Sequence, residues 1–153
     1  MDLGNILTPS RVALDVVSSS KKSALEQLAR GASQGVPELT PAQAFDSLVE
    51  RERLGSTALG QGIAIPHGRI KHLKSMVGAF MRVSQGVEFD SIDGEPVDLF
   101  FALFVPENTN EKHLETLSHL AALFSDVELV SRLRKESSVE KIHEILISEP
   151  LVK

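Results

Sequence analysis

The sequence contains an unbroken apolar stretch, Leu99-Phe100-Phe101-Ala102-Leu103-Phe104-Val105, which ends at Pro106. A strand that is apolar at every position has no polar face to turn toward water, so this pattern is typical of a central strand covered on both sides. Outward from it, residues 11–17, 63–65 and 76–83 also have the composition of buried or half-buried strands. The chain is therefore predicted to contain a sheet with residues 99–105 near its centre.

Helices are predicted between and after these strands, over residues 21–32, 40–54, about 110–124, 127–135, and from 137 onward. Thr40, Pro41 and Gln43 form the signature of a capping box with proline at the first helical position. Asp126 can cap the fourth helix, and Ser137-Ser138-Val139-Glu140 matches a second capping box. Strands interleaved with helices predict an α/β fold, a sheet flanked by helices, in a single domain over 1–153.

The composition excludes several classes of function. There is no cysteine among the 153 residues, which excludes disulfides, thiolate metal sites and a cysteine nucleophile. The formal charge of −5 argues against a nucleic-acid-binding surface. No apolar run approaches the roughly 20 residues of a membrane span, and the N-terminal residues do not form a secretory signal. We therefore expect a cytoplasmic protein without membrane insertion.

A glycine-punctuated loop, Gly55-Ser56-Thr57-Ala58-Leu59-Gly60-Gln61, lies between the second helix and the 63–65 strand. It is not a P-loop, because Gln61 stands where that motif needs a phosphate-binding lysine. The glycines could simply turn the chain. Backbone N–H groups together with the hydroxyls of Ser56 and Thr57 could also hold a phosphoryl group.

His67 is the most conspicuous titratable residue, in the segment Ile65-Pro66-His67-Gly68. It follows a buried strand and lies between a rigid residue and one without a side chain. This context predicts an imidazole held in a fixed direction and open to an incoming partner. An ordinary loop histidine is the alternative interpretation.

The remaining histidines are sorted by helical phase. At about 100° per residue, the apolar face of the third helix is defined by Leu114, Leu117, Leu120 and Phe124. His113 lies at the edge of that face in the first turn and is predicted to point toward the fold. His119 is predicted to face solvent, and His72 and His143 are interpreted as surface residues.

Two catalytic alternatives receive little support. The spacings between the histidines do not match a zinc pair on one helical turn, and no glycine-serine-glycine elbow of a hydrolase is present.

Arg51 near the end of the second helix has two interpretations. It could stabilise the helix C-terminus, or its guanidinium could point toward the Ser56–His67 region and bind a phosphoryl group.

Taken together, these residues resemble a known family. The segment Arg51-Glu52-Arg53-Leu54-Gly55-Ser56-Thr57-Ala58-Leu59-Gly60-Gln61-Gly62-Ile63-Ala64-Ile65-Pro66-His67-Gly68 is similar to the phosphorylation-site segment of enzyme IIA proteins of the mannitol/fructose class, which belong to the phosphoenolpyruvate-dependent phosphotransferase system. The stretches 93–104 and 112–118 are similar as well. The nearest type is the nitrogen-regulatory (PtsN-type) enzyme IIA. Two mild departures are Ala58, where members often carry Gly, and Gln61, where they often carry Asn.

The resemblance implies a mixed sheet flanked by helices and the function of a phosphocarrier. His67 would accept the phosphoryl group, through Nε2, from a phosphohistidine on an HPr-like (NPr-type) carrier protein. His113 would be the second active-site histidine, and Arg51 would supply positive charge. Ser56 and Thr57 could hold phosphoryl oxygens. The scheme requires no metal and no other cofactor, and regulatory target proteins are the further partners.

Two other functions remain open from the sequence. A sugar-specific enzyme IIA would pass the phosphoryl group to a IIB domain. A pure interaction module would no longer be phosphorylated, although Arg51, His67 and His113 are all present.

Overall fold

The computed structural model describes residues 3–109 and 111–148. Within them, six strands form one sheet and five α-helices cover it, preceded by short 3-10 turns at Leu3–Asn5 and Pro9–Arg11. The elements in chain order are β1 (Val12–Val16), α1 (Lys21–Ala32), α2 (Pro41–Glu52), β2 (Ala58–Gly60), β3 (Ile63–Ala64), β4 (His67–Ile70), β5 (Val77–Val87), β6 (Val97–Pro106), α3 (Glu111–Leu123), α4 (Val127–Lys135) and α5 (Val139–Ser148).

The apolar stretch forms the centre of the sheet, as predicted. β6 pairs with β5 in antiparallel orientation, and with both β3 and β4 in parallel orientation. The strand order is β1-β5-β6-β3-β2, with β4 also bound to β6. The sheet is therefore mixed, and the predicted α/β fold, with a mixed sheet flanked by helices, is confirmed.

Alternate side chains of β6 enter two separate cores. Phe100, Ala102 and Phe104 pack with the buried residues of α1 and α2. Leu99, Phe101 and Leu103 pack with those of α3, α4 and α5. Because successive strand residues point to opposite faces, an all-apolar strand requires helices on both faces. The result is a three-layer sandwich with α1 and α2 on one side.

The helix starts follow their capping residues, with one correction. The side chain of Thr40 accepts from Gln43 N and the Gln43 side chain accepts from Thr40 N, which completes the predicted capping box. Asp126 caps α4 as predicted. The predicted box between Ser137 and Glu140 is wrong, because Ser138 is the residue whose hydroxyl accepts from a backbone N–H, that of Lys141.

The predicted orientation of the third helix was also wrong. α3 buries Thr116, His119, Leu120 and Leu123, whereas Leu114 is 58% exposed. The buried stripe is thus rotated by about 100°, or one residue, from the stripe that the leucines alone indicate. His119 is only 5% exposed, and its burial lowers the pKa of its imidazole. Periodicity failed here because polar side chains, Thr116 and His119, occupy the inner face.

The other two histidines, His72 and His143, differ in their exposure. His72 is exposed, as predicted. His143 is half-buried rather than a free surface residue, and its Nε2 lies 2.8 Å from the carbonyl oxygen of Leu7. No helix within residues 3–109 and 111–148 combines the length and the apolarity needed to cross a bilayer.

Candidate active site around His67

His67 is held at the point where two strand segments follow one another along β6. β3 pairs with Leu99 and Phe100, and β4 begins at His67, which is opposite Leu103. Between the segments, the Pro66 carbonyl accepts from Leu103 N at 2.9 Å, so the chain stays attached to the central strand through the proline. The sequence predicted a histidine after a strand but did not predict β4. The backbone of His67 is therefore fixed by the sheet rather than by a loop.

The hydrogen bonds of the imidazole determine its tautomer. Nδ1 of His67 lies 2.9 Å from the carbonyl oxygen of Ile65, which can only accept, so Nδ1 carries the proton. Nε2 then holds a lone pair, and Nε of Arg51 donates to it at 3.2 Å. The nitrogen with nucleophilic character is thus Nε2, the atom that faces Arg51.

The surroundings of His67 keep its ring neutral. Burial lowers the pKa of His67 most strongly, and the positive charge of Arg51 and the nearby His113 lower it further. The hydrogen bond to Ile65 and the carboxylate of Glu52 act in the opposite direction, and the pKa remains below its ordinary value. A neutral imidazole at neutral pH is the form that can attack an electrophile.

Close packing of α2 on β4 brings Arg51 to the histidine. Gly68 faces α2, and a Cβ at that position would lie 2.6 Å from Cβ of Ser47 and 3.0 Å from its carbonyl carbon. Only glycine allows this approach without displacing the helix. Arg51 lies in the last turn of α2, where its Nη1 also donates to the Gly55 carbonyl at 2.9 Å.

A cleft of about 300 Å³ opens beside the ring. His67, Arg51 and His113 all line it, together with Ser47, Glu50, Leu54, Gly68, Arg69 and Val105. The three residues that the sequence singled out as the reactive centre therefore meet in one place. A larger cavity, of about 520 Å³, lies between α4 and α5 and contains none of them.

His113 reaches the cleft from the first turn of α3. The segment between β6 and α3 is tied to β4 by Arg69, whose Nη1 donates to the carbonyls of Glu107 at 2.9 Å and Thr109 at 2.6 Å. Arg69 thus connects the strand that carries His67 to the connection before His113. Sequence analysis did not single out Arg69, since nothing in the pattern tells a clamping arginine from a surface one.

Ser56 and Thr57 are placed differently from what the sequence predicted. The Ser56 hydroxyl donates to the Phe89 carbonyl at 2.7 Å and accepts from Ala58 N at 3.1 Å. The Thr57 side chain is buried, and its hydroxyl donates to the carboxylate of Glu52. Neither residue lines the cleft. A role for these hydroxyls in phosphoryl binding stays a prediction, and it would require the loop to rearrange.

The tip of the same loop is held by two residues from distant elements. Gln61 has a φ of +57°, in the left-handed region where asparagine is favoured over most residues, which accounts for the asparagine common in the resembling family. Its N–H donates to Asp93 at 2.8 Å, and its carbonyl accepts from Arg134 at 2.7 Å. These contacts hold glutamine in a conformation that it does not favour by itself.

Glu52 is the other residue of the site that the sequence did not reveal. Its carboxylate accepts from both the N–H and the hydroxyl of Thr57, and it forms an ion pair of 3.1 Å with Lys21. The sequence places Glu52 between Arg51 and Arg53, where it has the appearance of an ordinary solvated charge. Nothing in the sequence pattern distinguishes Glu52 from a solvated surface glutamate.

The described residues contain no group of three or more histidine, aspartate or glutamate side chains able to hold a metal ion. The cleft brings together a neutral imidazole, the guanidinium that donates to it and a second imidazole. A neutral imidazole can act as a nucleophile, and a guanidinium can bind an anionic group.

Comparison with known proteins identifies the class. The family model described as "Phosphoenolpyruvate-dependent sugar phosphotransferase system, EIIA 2" matches residues 5–149. The chain belongs to this family, which supports a phosphocarrier role and confirms the resemblance seen in the sequence.

Within the family, the chain is similar to nitrogen regulatory proteins. That of Pseudomonas aeruginosa is 42% identical over 145 residues, covering 95% of this chain and 94% of the relative. The crystal structure of the nitrogen regulatory protein IIA-Ntr from Neisseria meningitidis matches with a TM-score of 0.87 and 44% identity, over 94% of this chain and 98% of that one. The fructose-specific EIIABC component of Bacillus subtilis is 31% identical over 95% of this chain, which corresponds to 23% of that protein.

Proposed function

We propose that this protein is a phosphocarrier that accepts a phosphoryl group on Nε2 of His67 from the phosphohistidine of an HPr-like (NPr-type) carrier. The observation that supports this most directly is the pair of contacts on the ring. Ile65 binds the protonated nitrogen and Arg51 faces the unprotonated one. Because the ring is neutral, its lone pair is available without the removal of a proton.

The transfer exchanges one P–N bond for another. The bond between phosphorus and the donor imidazole breaks, and its electron pair returns to the donor nitrogen. The lone pair on Nε2 of His67 forms the new bond to phosphorus. In a loose transition state of this kind, the protein contributes mainly positioning and stabilisation of charge on the phosphoryl oxygens.

Arg51 has two tasks in this scheme. In the unphosphorylated protein its Nε occupies the lone pair of His67 Nε2, so it must leave that atom before phosphorus can approach. The tether from Nη1 to the Gly55 carbonyl keeps the guanidinium beside the cleft when it does so. It is then within reach of the phosphoryl oxygens, which a planar fork of N–H donors binds well. His113, on α3, provides a further hydrogen-bond donor to the phosphoryl oxygens.

The surface around the cleft is suited to docking a protein. Leu54, which lines the cleft, is 83% exposed, and Leu114, next to His113, is more than half exposed. Large apolar side chains exposed beside a reactive group are typical of sites that are covered by a partner. The phosphohistidine of a carrier could approach only if the two proteins bury this rim.

The direct test is phosphorylation by a reconstituted chain of phosphoenolpyruvate, enzyme I and an HPr-type carrier. We expect the intact mass to increase by one phosphoryl group. The proposal is contradicted if the carrier becomes phosphorylated while this protein gains nothing.

His113→Ala is expected to accept the phosphoryl group about 10²-fold more slowly, because one donor to the phosphoryl oxygens is lost. Rapid-quench phosphorylation with the HPr-type carrier measures the rate, and a thermal melt checks that the variant is folded. His72→Ala, at an exposed histidine outside the cleft, is the matched control. A folded His113→Ala variant that transfers at the wild-type rate would contradict this role, and a variant that does not fold would instead assign His113 a structural role.

Regulation of partner proteins in nitrogen, potassium or carbon metabolism, in the cytoplasm, is the second part of the proposal. It is supported by the higher identity to nitrogen regulatory proteins than to the fructose-specific component. Phosphorylation adds about −1.5 to −2 charges at a site rimmed by apolar residues, so it should change which partners bind. The alternative is transfer to a sugar-specific IIB domain.

A pull-down with unphosphorylated wild type, phosphorylated wild type and His67→Asp separates these functions. We expect the unphosphorylated protein to retain partners that the other two lose, or the reverse. Identical partner sets for all three would remove the support for a phosphorylation-controlled switch.

A further inference from the structure

The loop that anchors Arg51 is itself held by a buried carboxylate. The side chain of Glu52 is 5% exposed. One of its oxygens accepts from Thr57 N at 3.3 Å, and the other accepts from the Thr57 hydroxyl. Placing a carboxylate in such a position is costly unless it is paired and hydrogen-bonded. The cost is met here by those two donors and by Lys21, so the carboxylate is well determined in its position.

Lys21 connects this carboxylate to the first turn of α1. Its Nζ lies 3.1 Å from Glu52 and 3.2 Å from Asp90, and 4.6 Å from the centre of the Phe89 ring. The loop from Gly55 to Thr57 is therefore fixed against α1 and the β5–β6 connection. It is not held by its own backbone alone.

The same loop sets the position of Arg51. The chain turns at Gly55, whose φ of +145° lies in a region of backbone conformation that favours glycine. Its carbonyl accepts from Nη1 of Arg51, and Nε of Arg51 donates to Nε2 of His67. A continuous series of contacts thus runs from Glu52 through Thr57 and Gly55 to Arg51 and the reactive nitrogen.

We propose that Glu52 is a positioning residue for phosphoryl transfer, which through Thr57 holds the Gly55–Thr57 loop that aims Arg51 at His67. The inference rests on the proposed function and adds to it a residue that never touches the phosphoryl group. Its charge also reaches the ring, where it opposes the effects of burial and of Arg51 on the His67 pKa.

The test is a double-mutant cycle with Glu52→Gln, Thr57→Val and the double variant. Glu52→Gln keeps the size of the side chain and removes the charge, and Thr57→Val removes only the hydroxyl. We expect each single variant to slow phosphorylation by the HPr-type carrier about tenfold, and the double variant to be no slower than the slower single variant. Independent effects would multiply and contradict the proposal.

A second readout separates positioning from a loss of stability. Thr57→Val keeps the carboxylate but releases the loop, so Arg51 should be held less firmly beside the ring. Because Arg51 lowers the pKa of His67, that pKa should rise in an NMR titration of Thr57→Val. Asp46→Asn is the matched control, since it removes an exposed charge from the same helix. We expect it to change neither the rate nor the titration. An unchanged His67 pKa in a folded Thr57→Val variant would contradict the positioning of Arg51 through Thr57.

The outcomes of this experiment are distinguishable from failure of the proposed function. If wild type is phosphorylated and Glu52→Gln and Thr57→Val match its rate, the positioning role is wrong and the phosphocarrier stands. If wild type itself is not phosphorylated, the proposed function fails first. If Glu52→Gln does not fold, Thr57→Val decides, because deleting one hydroxyl leaves the carboxylate and its ion pair intact.

Discussion

His67→Ala is expected to gain no phosphoryl group from the HPr-type carrier under conditions in which wild type is fully modified. The reason is that the Nδ1 proton of His67 is bound to a carbonyl oxygen and its Nε2 lone pair is directed at a guanidinium. Removing the ring removes the nucleophile itself, so the expected effect is loss of the modification. Intact mass measures it directly.

The control for this result is His72→Ala, which deletes an exposed histidine outside the cleft and should be modified like wild type. A thermal melt should show that both variants are folded, since the His67 ring is only half-buried and lines the open cleft. Modification of His67→Ala at the wild-type level would mean that another residue is the acceptor.

Arg51→Gln is expected to slow phosphoryl acceptance by about 10²-fold, the typical loss for one preorganised donor to developing negative charge. It should also raise the pKa of His67, because the positive charge of Arg51 lowers that pKa in the wild type. Acceptance requires the neutral ring and is lost as pH falls through the His67 pKa. The acidic limb of the pH–rate profile should therefore move to higher pH in Arg51→Gln.

Two further variants separate charge from geometry at this position. Arg51→Lys keeps a positive charge but cannot bind Gly55 and His67 at the same time with a planar fork, so it should recover only part of the rate. Arg53→Gln removes an exposed arginine two residues away and is expected to leave both the rate and the pH profile unchanged. An acidic limb that stays in place in Arg51→Gln would contradict the assigned electrostatics.

Much of the fold was predictable because its strongest signals are local. An all-apolar strand, a capping box at Thr40 and an aspartate before α4 each act on residues within a few positions of themselves, and each was found where predicted. The orientation of α3 was not predictable, because it depends on which polar side chains the sheet can bury. His119 is inside and Leu114 is outside for that reason.

The reactive residues also divide into properties that the local sequence predicts and properties that depend on packing. The sequence alone determined which reactive groups are present: an imidazole with a fixed direction after Pro66, an arginine at the end of a helix, and a glycine-rich loop between them. It also determined that the motifs resemble one family. These properties follow from residue type and short-range spacing, which are written in the chain itself.

The tertiary structure alone decided which of those groups act together. It placed Arg51 and His113 beside His67, turned Ser56 and Thr57 away from the cleft, and brought Glu52 into the network as a buried carboxylate. Such choices depend on how α2 approaches Gly68 and how α3 is rotated on the sheet. Contacts between residues distant along the chain are set by packing. Such contacts leave no periodic pattern in a single sequence, so the sequence alone does not predict them.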